Sequence, residues 1–475
     1  MGKWTERIYR VSPLWLQSLG ISTFGFFWAR RRLGSVFEQT WREYVERETW
    51  SPERMQDFVQ TQLRAQIARA YREVPFYRET FRRHGVTDEL IEHLTISDLC
   101  KLPLLEKAAV RADPAALLTV SAAKNPPKVF STSGTTGLPI RVYWDAATHQ
   151  RNIAAREARS LRWAGVSYRG SRAVVGGRLI VPKAKSSPPF WRYNRWEKQL
   201  YLSAFHVSPE NAPDYTSALN RFQPQLITGY ASANYFLAKA IQERGLEIYS
   251  PRAVITNSDR LEPYMRPVLA SVYRADVREE YGSVENCALA TECEKGGLHV
   301  HPDFGVVEIL RADGQPAPKG EVGELVVTGF TNPNQIFVRY KIGDLAAWST
   351  EPCACGRNAL PTLREVVGRI EDTVVLRDGR KLMRLDHAFR ELSGVSEGQI
   401  IQEDYDRFVV KVVPTPLYSK MDEGLIKTRL ATRLGTEVLV EVQAVDSIPR
   451  EPNGKFRMVI NQMARRRFLG SAGQN

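Results

Sequence analysis

The chain has 475 residues, of which 43% are hydrophobic and 25% are charged. This length and apolar content exceed what one compact domain needs, and they exclude a disordered, collagen-like or small disulfide-stapled protein. The formal net charge of +13 predicts attraction to polyanions, but the absence of zinc-finger spacing and of an aromatic RNA-binding signature argues against a nucleic-acid partner.

Five cysteines, an odd and sparse set for this length, argue against a disulfide framework. They indicate a reducing compartment, and we therefore expect a cytoplasmic location. No small-residue cleavage site follows the first apolar stretch, so the beginning of the chain does not read as a secretory signal.

The first predicted element is an uncharged segment over residues 11–29, followed by the basic cluster Arg30–Arg32. Its length reaches the lower limit for a membrane span, although Pro13, Gly20 and Gly25 weaken that interpretation. Three alternatives stay open: an apolar helix packed on the protein body, an interfacial helix on the inner face of the membrane through residues 11–32, or a transmembrane span.

The next stretch, residues 33–110, is predicted to be helical because apolar residues recur at a spacing of three to four. From residue 126 the pattern alternates β-rich and helical runs, which is typical of α/β layers. The predicted strands are Lys128–Ser131, Ala173–Val175, Leu226–Thr228, Ala253–Thr256, Val306–Ile309 and Glu324–Thr328, and the predicted helices are 148–164, 210–222, 232–244 and 262–272. Beyond Gly368 a small α+β unit is predicted, with strands Thr373–Leu376, Gln399–Glu403, Arg407–Val413 and Leu439–Val445 and helices 385–392 and 421–434.

Residues 131–139 read Ser-Thr-Ser-Gly-Thr-Thr-Gly-Leu-Pro and directly follow an apolar strand. Glycines let backbone N–H groups approach an anion closely, and hydroxyl groups add further donors. The Gly-Lys-Ser/Thr ending of a Walker loop is missing. The string predicts a different polyphosphate-binding loop, formed by Ser131, Thr132, Ser133, Gly134, Thr135, Thr136 and Gly137.

This loop resembles the phosphate loop of the acyl-adenylate-forming superfamily, which includes acyl-CoA synthetases, luciferases and peptide-synthetase adenylation domains. Four further segments resemble motifs of that superfamily in the same order: Tyr281-Gly-Ser-Val-Glu285, Arg339-Tyr-Lys-Ile-Gly-Asp344, Gly368-Arg369 and Pro449-Arg-Glu-Pro-Asn-Gly-Lys455. The Trp/Arg-rich beginning of the chain and Cys-Ala-Cys-Gly-Arg at 353–357 resemble the phenylacetate-CoA ligase-like branch, which includes the CapK proteins of capsule polysaccharide biosynthesis.

The resemblance implies an α/β fold with a large multilayer N-terminal domain and a smaller, mobile α+β C-terminal domain that carries a catalytic lysine. We expect a helical region over residues 1–110 as part of the large domain, an adenylate-forming core over 111–370 and the C-terminal lid over 371–475.

The resemblance also implies the chemistry: a carboxylate attacks the α-phosphate of ATP, and an acyl-AMP and pyrophosphate form. The implied catalytic residues are Lys455, which neutralises charge at the α-phosphate, Glu285, which holds Mg²⁺, and Thr135, which with Ser133 and Thr136 holds the β- and γ-phosphates. Further implied nucleotide contacts are Tyr281 beside adenine, Gly282, Ser283, Asp344 on the ribose hydroxyls and Arg369 near ribose or phosphate. Each residue has an ordinary structural alternative as a cap, turn, core or surface residue, but the joint order favours the functional role.

Two segments depart from the superfamily pattern. Relatives have Gly-Ala-Glu where this chain has Asn257-Ser-Asp259, so Ser258 is either a backbone contact to adenine or part of a plain turn. Relatives place an aspartate two residues after the hinge arginine, whereas this chain has Glu371 followed by Asp372. Both residues are therefore candidate hinge positions.

Three thiolates and one imidazole form a tetrahedral zinc set, and the chain offers Cys293, His299, Cys353 and Cys355. Some relatives in the branch carry such a structural zinc. Cys287 is an alternative thiol and His301 an alternative imidazole, and four reduced residues near a surface loop are the ordinary interpretation.

The predicted function is ATP- and Mg²⁺-dependent activation of a small carboxylic acid, followed by transfer of the acyl group to CoA. An amine or sugar acceptor in surface polysaccharide biosynthesis is the first alternative, and a non-catalytic nucleotide-binding regulator is the second. Segments 229–232 and 201–206 are candidate walls of the acyl pocket, but they do not identify the acid.

Overall fold

The computed structural model describes residue 9 and residues 12–131, 140–182, 187–378, 381–382, 385–390, 392–435 and 437–463. These residues form two compact units. The larger unit runs to Ile342 and resumes over Ala346–Val366, whereas the smaller unit comprises Gly343–Leu345 and the chain from Val367 onward.

Helices dominate the first third of the larger unit, as the apolar spacing predicts. They are α1 (Leu14–Arg32), α2 (Ser35–Arg47), α3 (Pro52–Glu73), α4 (Pro75–Arg83), α5 (Asp88–His93), α6 (Lys107–Ala112) and α7 (Val120–Lys124). The longest, α3, begins where the Ser51 side chain accepts a hydrogen bond from Arg54 N and Pro52 supplies the first-turn φ. It ends at Glu73, and Val74, the residue before Pro75, is extended with φ −115° and ψ 108°, because the residue before proline avoids the helical conformation.

None of the helices in the described part of the chain is long and apolar enough to cross a membrane.

A hairpin and a large sheet follow, and every strand predicted for this region is present. The strands are β1 (Lys128–Ser131), β2 (Arg141–Trp144), β3 (Arg172–Gly176), β4 (Trp191–Asn194), β5 (Gln199–Ser203), β6 (Leu226–Tyr230), β7 (Ala253–Asn257), β8 (Asp276–Gly282), β9 (Leu289–Glu292), β10 (Leu298–Val300), β11 (Gly305–Leu310), β12 (Gly323–Gly329), β13 (Tyr340–Trp348) and β14 (Thr362–Arg369). The hairpin pairs β1 with β2, and the remaining strands form one sheet in the order β11-β12-β13-β14-β10-β9-β8-β7-β6-β3-β5-β4.

The middle of this sheet is parallel: β5, β3, β6, β7 and β8 pair in the same direction. Their connections carry α9 (Ala212–Phe222), α10 (Ala231–Glu243) and α11 (Met265–Tyr273), and α8 (Ala146–Arg156) precedes the sheet. These helices match the predicted ones to within a few residues, except that the 148–164 prediction becomes α8 followed by a π-helical turn over Glu157–Leu161. Strands buried on both faces and separated by helices define a doubly covered α/β layer.

The smaller unit has a four-stranded sheet in the order β19-β18-β17-β20 and a two-stranded piece of β15 and β16. Its elements are β15 (Val374–Val375), β16 (Lys381–Leu382), β17 (Val395–Gln402), β18 (Arg407–Pro414), α12 (Lys420–Leu434), β19 (Leu439–Ala444) and β20 (Val459–Asn461). The helix α12 packs Ile426, Leu430 and Leu434 into the core of this unit.

The predicted helix over 385–392 is wrong. The segment contains a single 3₁₀ turn, Asp386–Ala388, and its amides bond to carbonyls three residues back, from Ala388 to Leu385 and from Phe389 to Asp386. A 3₁₀ turn places residues three apart on one face. Leu385 and Ala388 both reach the core in this way, so the same apolar spacing is satisfied without an α-helix.

Candidate active site and candidate zinc site

The carboxyl ends of β6, β7 and β8 lie side by side. Tyr230 is paired with Asn257 across β6 and β7, and Asn257 is paired with Glu280 across β7 and β8. Open parallel sheets bind ligands outside this edge. The predicted acyl-pocket segment 229–232, Ser258 and Tyr281 therefore lie at the ends of strands that meet at one edge of the sheet.

Ser258 begins the turn after β7 with a left-handed backbone, φ 74°. The next residue, Asp259, fixes that turn to the start of α10. Its carboxylate accepts hydrogen bonds from Ala231 N at 2.5 Å, from Ser232 N at 3.2 Å and from the Ser232 hydroxyl. A carboxylate at a helix N-terminus satisfies unpaired amides and the helix dipole. The turn that carries Ser258 is thus held against the segment predicted to line the acyl pocket.

Tyr281 and Gly282 close β8, and the glycine is required there by a close approach. A Cβ atom on Gly282 would lie 2.8 Å from Arg156 Nη2. The guanidinium of Arg156 forms an ion pair with Glu280, and its Nε donates to Asn152 Oδ1 at 3.2 Å. This arginine, whose side chain is 17% exposed, contacts the predicted nucleotide segment through Glu280 and Gly282, a role that the sequence motifs did not reveal.

Glu285 is buried, and its Oε1 accepts a hydrogen bond from the Tyr340 hydroxyl at 3.2 Å. Burial raises the pKa of Tyr340, with the Glu285 charge adding to the effect, so the phenol stays a neutral donor. Tyr340 lies inside the segment that resembles the ribose-binding motif, four residues before Asp344. The contact therefore orients the predicted Mg²⁺ ligand from a second motif.

A polar network fixes the turn after Glu285. Asn286 adopts a left-handed φ of 61°. Its side chain accepts from Asn152 Nδ2 at 2.5 Å and donates to Thr331 Oγ1 at 2.6 Å, and the Thr331 hydroxyl donates to the Asn286 carbonyl at 2.8 Å. All three side chains are buried, so the network holds Glu285 in one orientation.

Asp344 and Arg369, the two residues predicted to contact ribose or phosphate, form an ion pair in the smaller unit. Arg369 Nε lies 3.4 Å from Asp344 Oδ1, with one third of the arginine side chain exposed. The pair comes from neighbouring strands, β13 and β14. The motifs did not reveal the pairing, because 25 residues separate the two in the chain.

Lys455 lies in a tight turn of the smaller unit. Glu451 N donates to the Lys455 carbonyl at 2.9 Å, Gly454 N donates to the Glu451 carbonyl at 2.8 Å, and Lys455 N donates to Asn453 Oδ1 at 3.0 Å. Two residues further on, Arg457 is buried and forms an ion pair with Asp372. Its Nη1 lies 3.7 Å from Glu451 Oε1, so one arginine joins the lysine turn to the predicted hinge.

The predicted hinge positions lie in a 3₁₀ turn over Ile370–Asp372, and Asp372 forms the ion pair with Arg457. Ser131 is the exposed last residue of β1. The remaining phosphate-loop residues lie outside the described residues, and their roles, including that of Thr135, stay predictions: Thr132, Ser133, Gly134, Thr135, Thr136 and Gly137.

Segment 201–206 is largely internal. Ser203 Oγ and His206 Nδ1 lie 2.8 Å apart, the His206 ring stacks on Phe190 at 4.6 Å, and Tyr215 donates to the Ser203 carbonyl at 2.7 Å. These contacts tie the end of β5 to α9. A pocket wall formed by this segment would therefore be held in shape by contacts on the side that faces the protein core.

Glu279 lies on β8, three residues before its end. Burial raises the pKa of its carboxyl group to about 7. The charge of Glu292 adds to this rise, and the charges of Arg260 and Arg266 oppose it. The raised native pKa means that the folded chain binds this proton more tightly than the unfolded chain. The stabilising contribution is therefore present below about pH 4.5, the ordinary value, and is lost as the pH rises through about 7.

We expect Glu279→Gln to raise the melting temperature relative to the wild type above pH 7 and to change it least at acid pH, because the amide cannot ionise. Thermal unfolding across this range, with the exposed Glu243→Gln as control, measures the difference. Parallel curves for the wild type and Glu279→Gln would contradict the assignment.

The four residues of the predicted zinc set lie together, and their ligand atoms are all within 4.8 Å of one another. Cys293 Sγ is 3.5 Å from Cys353 Sγ, and Cys355 Sγ is 3.1 Å from His299 Nε2. His299 Nδ1 lies 2.7 Å from the Leu360 carbonyl, to which it donates, so that Nε2 is the nitrogen turned to the thiols. A histidine fixed through its other nitrogen is typical of zinc sites, and the donor set fits Zn²⁺.

The two alternative ligands are engaged elsewhere. His301 is buried, with Nδ1 3.0 Å from Arg159 Nη1 and Nε2 2.8 Å from Thr291 Oγ1. Arg159 in turn forms a buried two-bond ion pair with Asp303. The Cys287 thiol donates to the Glu285 carbonyl at 3.2 Å. Among the described residues, neither His301 nor Cys287 belongs to the candidate zinc cluster.

Comparison with known proteins agrees with this fold. The family model of the CapK C-terminal domain matches residues 376–462. Protein CapK of Staphylococcus aureus is 30% identical over 397 residues, which cover 82% of this chain and 85% of that protein. Phenylacetate-coenzyme A ligase of Thermus thermophilus is 26% identical over 347 residues, covering 70% and 74% of the two chains.

Among solved structures, 2-hydroxyisobutyryl-CoA ligase in the postadenylation state, in complex with R3-HIB-AMP, has the same fold. It aligns with a TM-score of 0.69 at 20% identity, over 90% of this chain and 94% of that chain. The sheet, the smaller C-terminal unit and the ordered motifs define an adenylate-forming ligase of the acyl-CoA synthetase superfamily. Within that superfamily, the chain belongs to the CapK and phenylacetate-CoA ligase branch, as a member of the CapK family.

Proposed function

We propose that the protein uses ATP and Mg²⁺ to convert a small carboxylic acid into its acyl-AMP and then transfers the acyl group to the thiol of CoA. In the first step the carboxylate oxygen bonds to the α-phosphorus and pyrophosphate leaves. In the second step the thiol attacks the acyl carbon, releases AMP and gives up its proton.

The observation that carries this proposal is the gathering of separate motifs at one edge of the parallel strands. Ser258 and Tyr281 lie at the carboxyl ends of adjacent strands, and Glu285 accepts a hydrogen bond from Tyr340 of a third motif. The relatives supply the second half of the argument, since the Thermus thermophilus relative and three further relatives are phenylacetate-coenzyme A ligases. Carboxylates suit Mg²⁺, and Glu285 would hold that ion, which supplies positive charge opposite the phosphates.

The test is acid-dependent exchange of labelled pyrophosphate into ATP over a mixed panel of carboxylic acids, followed by CoA and thioester detection with each acid that supports exchange. We expect exchange with at least one acid and a thioester from the same acid. Exchange without a thioester would reject CoA as the acceptor. ATP binding without exchange on any acid would support the regulator instead.

Tyr340→Phe is expected to lower exchange about tenfold and to raise the Mg²⁺ concentration needed for half-maximal rate, because a hydrogen bond to a charged group contributes about 1.5 kcal/mol. The matched control is Tyr249→Phe, whose hydroxyl donates to the Pro224 carbonyl at 2.7 Å in another part of the larger unit. An unchanged Mg²⁺ requirement in Tyr340→Phe would remove Glu285 from the metal site.

Arg457→Gln is expected to lower exchange about tenfold without loss of ATP binding, because a misplaced catalytic group loses effective concentration at the reacting atoms. The control is Arg377→Gln, which removes an exposed pair with Asp406 in the same unit. Equal rates of pyrophosphate exchange for Arg457→Gln and the wild type would contradict the prediction, because the turn that carries Lys455 would then be ordered without Arg457.

An amine or sugar acceptor is the second candidate. It is favoured by the C-terminal unit, which matches the family model of the CapK C-terminal domain over residues 376–462. Products formed with amino sugars, and none with CoA, would select this acceptor.

A further inference from the structure

The solvent side of α1 carries large apolar side chains. Trp15 is 67% exposed, Leu19 56% and Phe27 65%. Trp196, in the turn between β4 and β5, is 62% exposed and its ring lies 4.8 Å from that of Phe26. We call the exposed set the apolar face: Trp15, Leu16, Leu19, Phe24, Phe27 and Trp196.

The buried side of α1 carries Gln17, Ser22, Gly25 and Trp28, and its polar and glycine positions attach the helix to β4 and the turn after it. Gln17 Oε1 accepts from Arg192 Nε at 2.7 Å, and Ser22 Oγ accepts from Arg195 N at 3.2 Å. A Cβ atom on Gly25 would lie 2.1 Å from Asn194 Nδ2, so glycine is needed for this approach. A surface helix ordinarily turns its large apolar side chains inward. In α1, Trp28 is buried, but most of the large apolar side chains are exposed, and hydrogen bonds and a glycine contact hold the helix in this orientation.

The charges around the apolar face are cationic. The helix contains no Asp or Glu and ends in Arg30, Arg31 and Arg32. Exposed Arg195 and Lys198 flank Trp196. The acid between them, Glu197, is buried against Arg32 at 2.7 Å and Arg172 at 3.1 Å, so it does not offset the outward charge.

A cavity of about 320 Å³ opens beside Trp196 and is lined by Arg32, Arg169 and Arg172 as well as Glu197. Arg32 and Arg172 pair with Glu197, and Arg169 pairs with Glu38, so the guanidinium groups at the cavity exceed the carboxylates by one. Its volume accommodates a phosphate group, which matches the chemistry of an anionic lipid headgroup.

We propose that α1 docks the protein on an anionic phospholipid bilayer, with the helix axis in the plane of the interface, the apolar face inserted and Arg30 and Arg195 at the level of the headgroups. Tryptophan and phenylalanine on one side of a helix with arginine at its border are typical of interfacial helices. A second copy of the chain would set the same cationic border against itself, whereas an anionic bilayer neutralises it.

The test is flotation of the purified full-length chain with vesicles of phosphatidylglycerol and phosphatidylcholine in equal parts, compared with vesicles of phosphatidylcholine alone. We expect strong binding to the first and weak binding to the second. The double variant Phe24→Ser/Phe27→Ser is expected to lower the partition coefficient about a hundredfold, since each phenylalanine contributes about a tenfold factor. Its control is Leu417→Ser/Met421→Ser, which alters two exposed apolar residues of the smaller unit.

The charge is tested separately. Arg30→Gln is expected to lower binding to the anionic vesicles about fivefold, and Arg83→Gln, an exposed arginine of α4, is expected to leave it unchanged. Unchanged melting temperature and pyrophosphate exchange in every variant show that the fold is intact. Absence of wild-type binding to anionic vesicles, or equal binding by the Phe24→Ser/Phe27→Ser variant, overturns the proposal. The proposal is also overturned, in favour of a second copy of the chain, if the wild type does not bind vesicles and light scattering shows a wild-type dimer that is absent in the Phe24→Ser/Phe27→Ser variant.

Discussion

Replacing Lys455 by alanine is expected to lower acid-dependent pyrophosphate exchange by about a hundredfold to a thousandfold. The reason is electrostatic: negative charge develops between the carboxylate and the α-phosphate, and the loss of one preorganised donor to such charge costs about 2.7–4 kcal/mol. The turn over residues 451–455 is closed by its own backbone hydrogen bonds, so the substitution removes the ammonium group without removing the support of the turn.

The control for this prediction is Lys420→Ala, an exposed lysine at the first turn of α12 in the same unit. Calorimetry with ATP should give the same affinity for the wild type and Lys455→Ala, since the effect belongs to the transition state. Exchange at the wild-type rate in Lys455→Ala would show that this lysine takes no part in adenylation.

Cys353→Ser is expected to release zinc and to lower the stability of the larger unit by a free energy on the order of 5 kcal/mol, because the binding energy of a structural zinc is also folding energy. The ion would join two chain segments, the β9–β10 hairpin with Cys293 and His299 and the segment between β13 and β14 with Cys353 and Cys355. Exchange activity measured well below the melting temperature should persist, because no ligand of the cluster belongs to the proposed active site.

Metal analysis and thermal unfolding measure this effect, and Cys100→Ser, which alters an exposed cysteine outside the cluster, is the control. We expect about one zinc per wild-type chain and per Cys100→Ser chain. A purified wild-type chain with well under one zinc, or a Cys353→Ser chain as stable as the wild type, would contradict the zinc assignment.

The sequence determined the fold class, the strands of the parallel sheet and the order of the motifs. These features are local: each strand is a short apolar run bounded by turn residues, and each motif is a contiguous string. The four candidate zinc ligands were also readable, because sulfur and imidazole are uncommon in this chain and few combinations exist. The helix predicted over 385–392 failed because apolar spacing of three fits a 3₁₀ turn as well as an α-helix.

Only the tertiary structure decided which side chains support the site. Asp259 reaches the start of α10, Tyr340 reaches Glu285, and Arg457 reaches Asp372, across 27, 55 and 85 residues of chain. It also decided between His299 and His301, and it left most of the large apolar side chains of α1 exposed. Each of these outcomes depends on a hydrogen bond or ion pair between residues far apart in the chain, and a local pattern carries no record of such a partner.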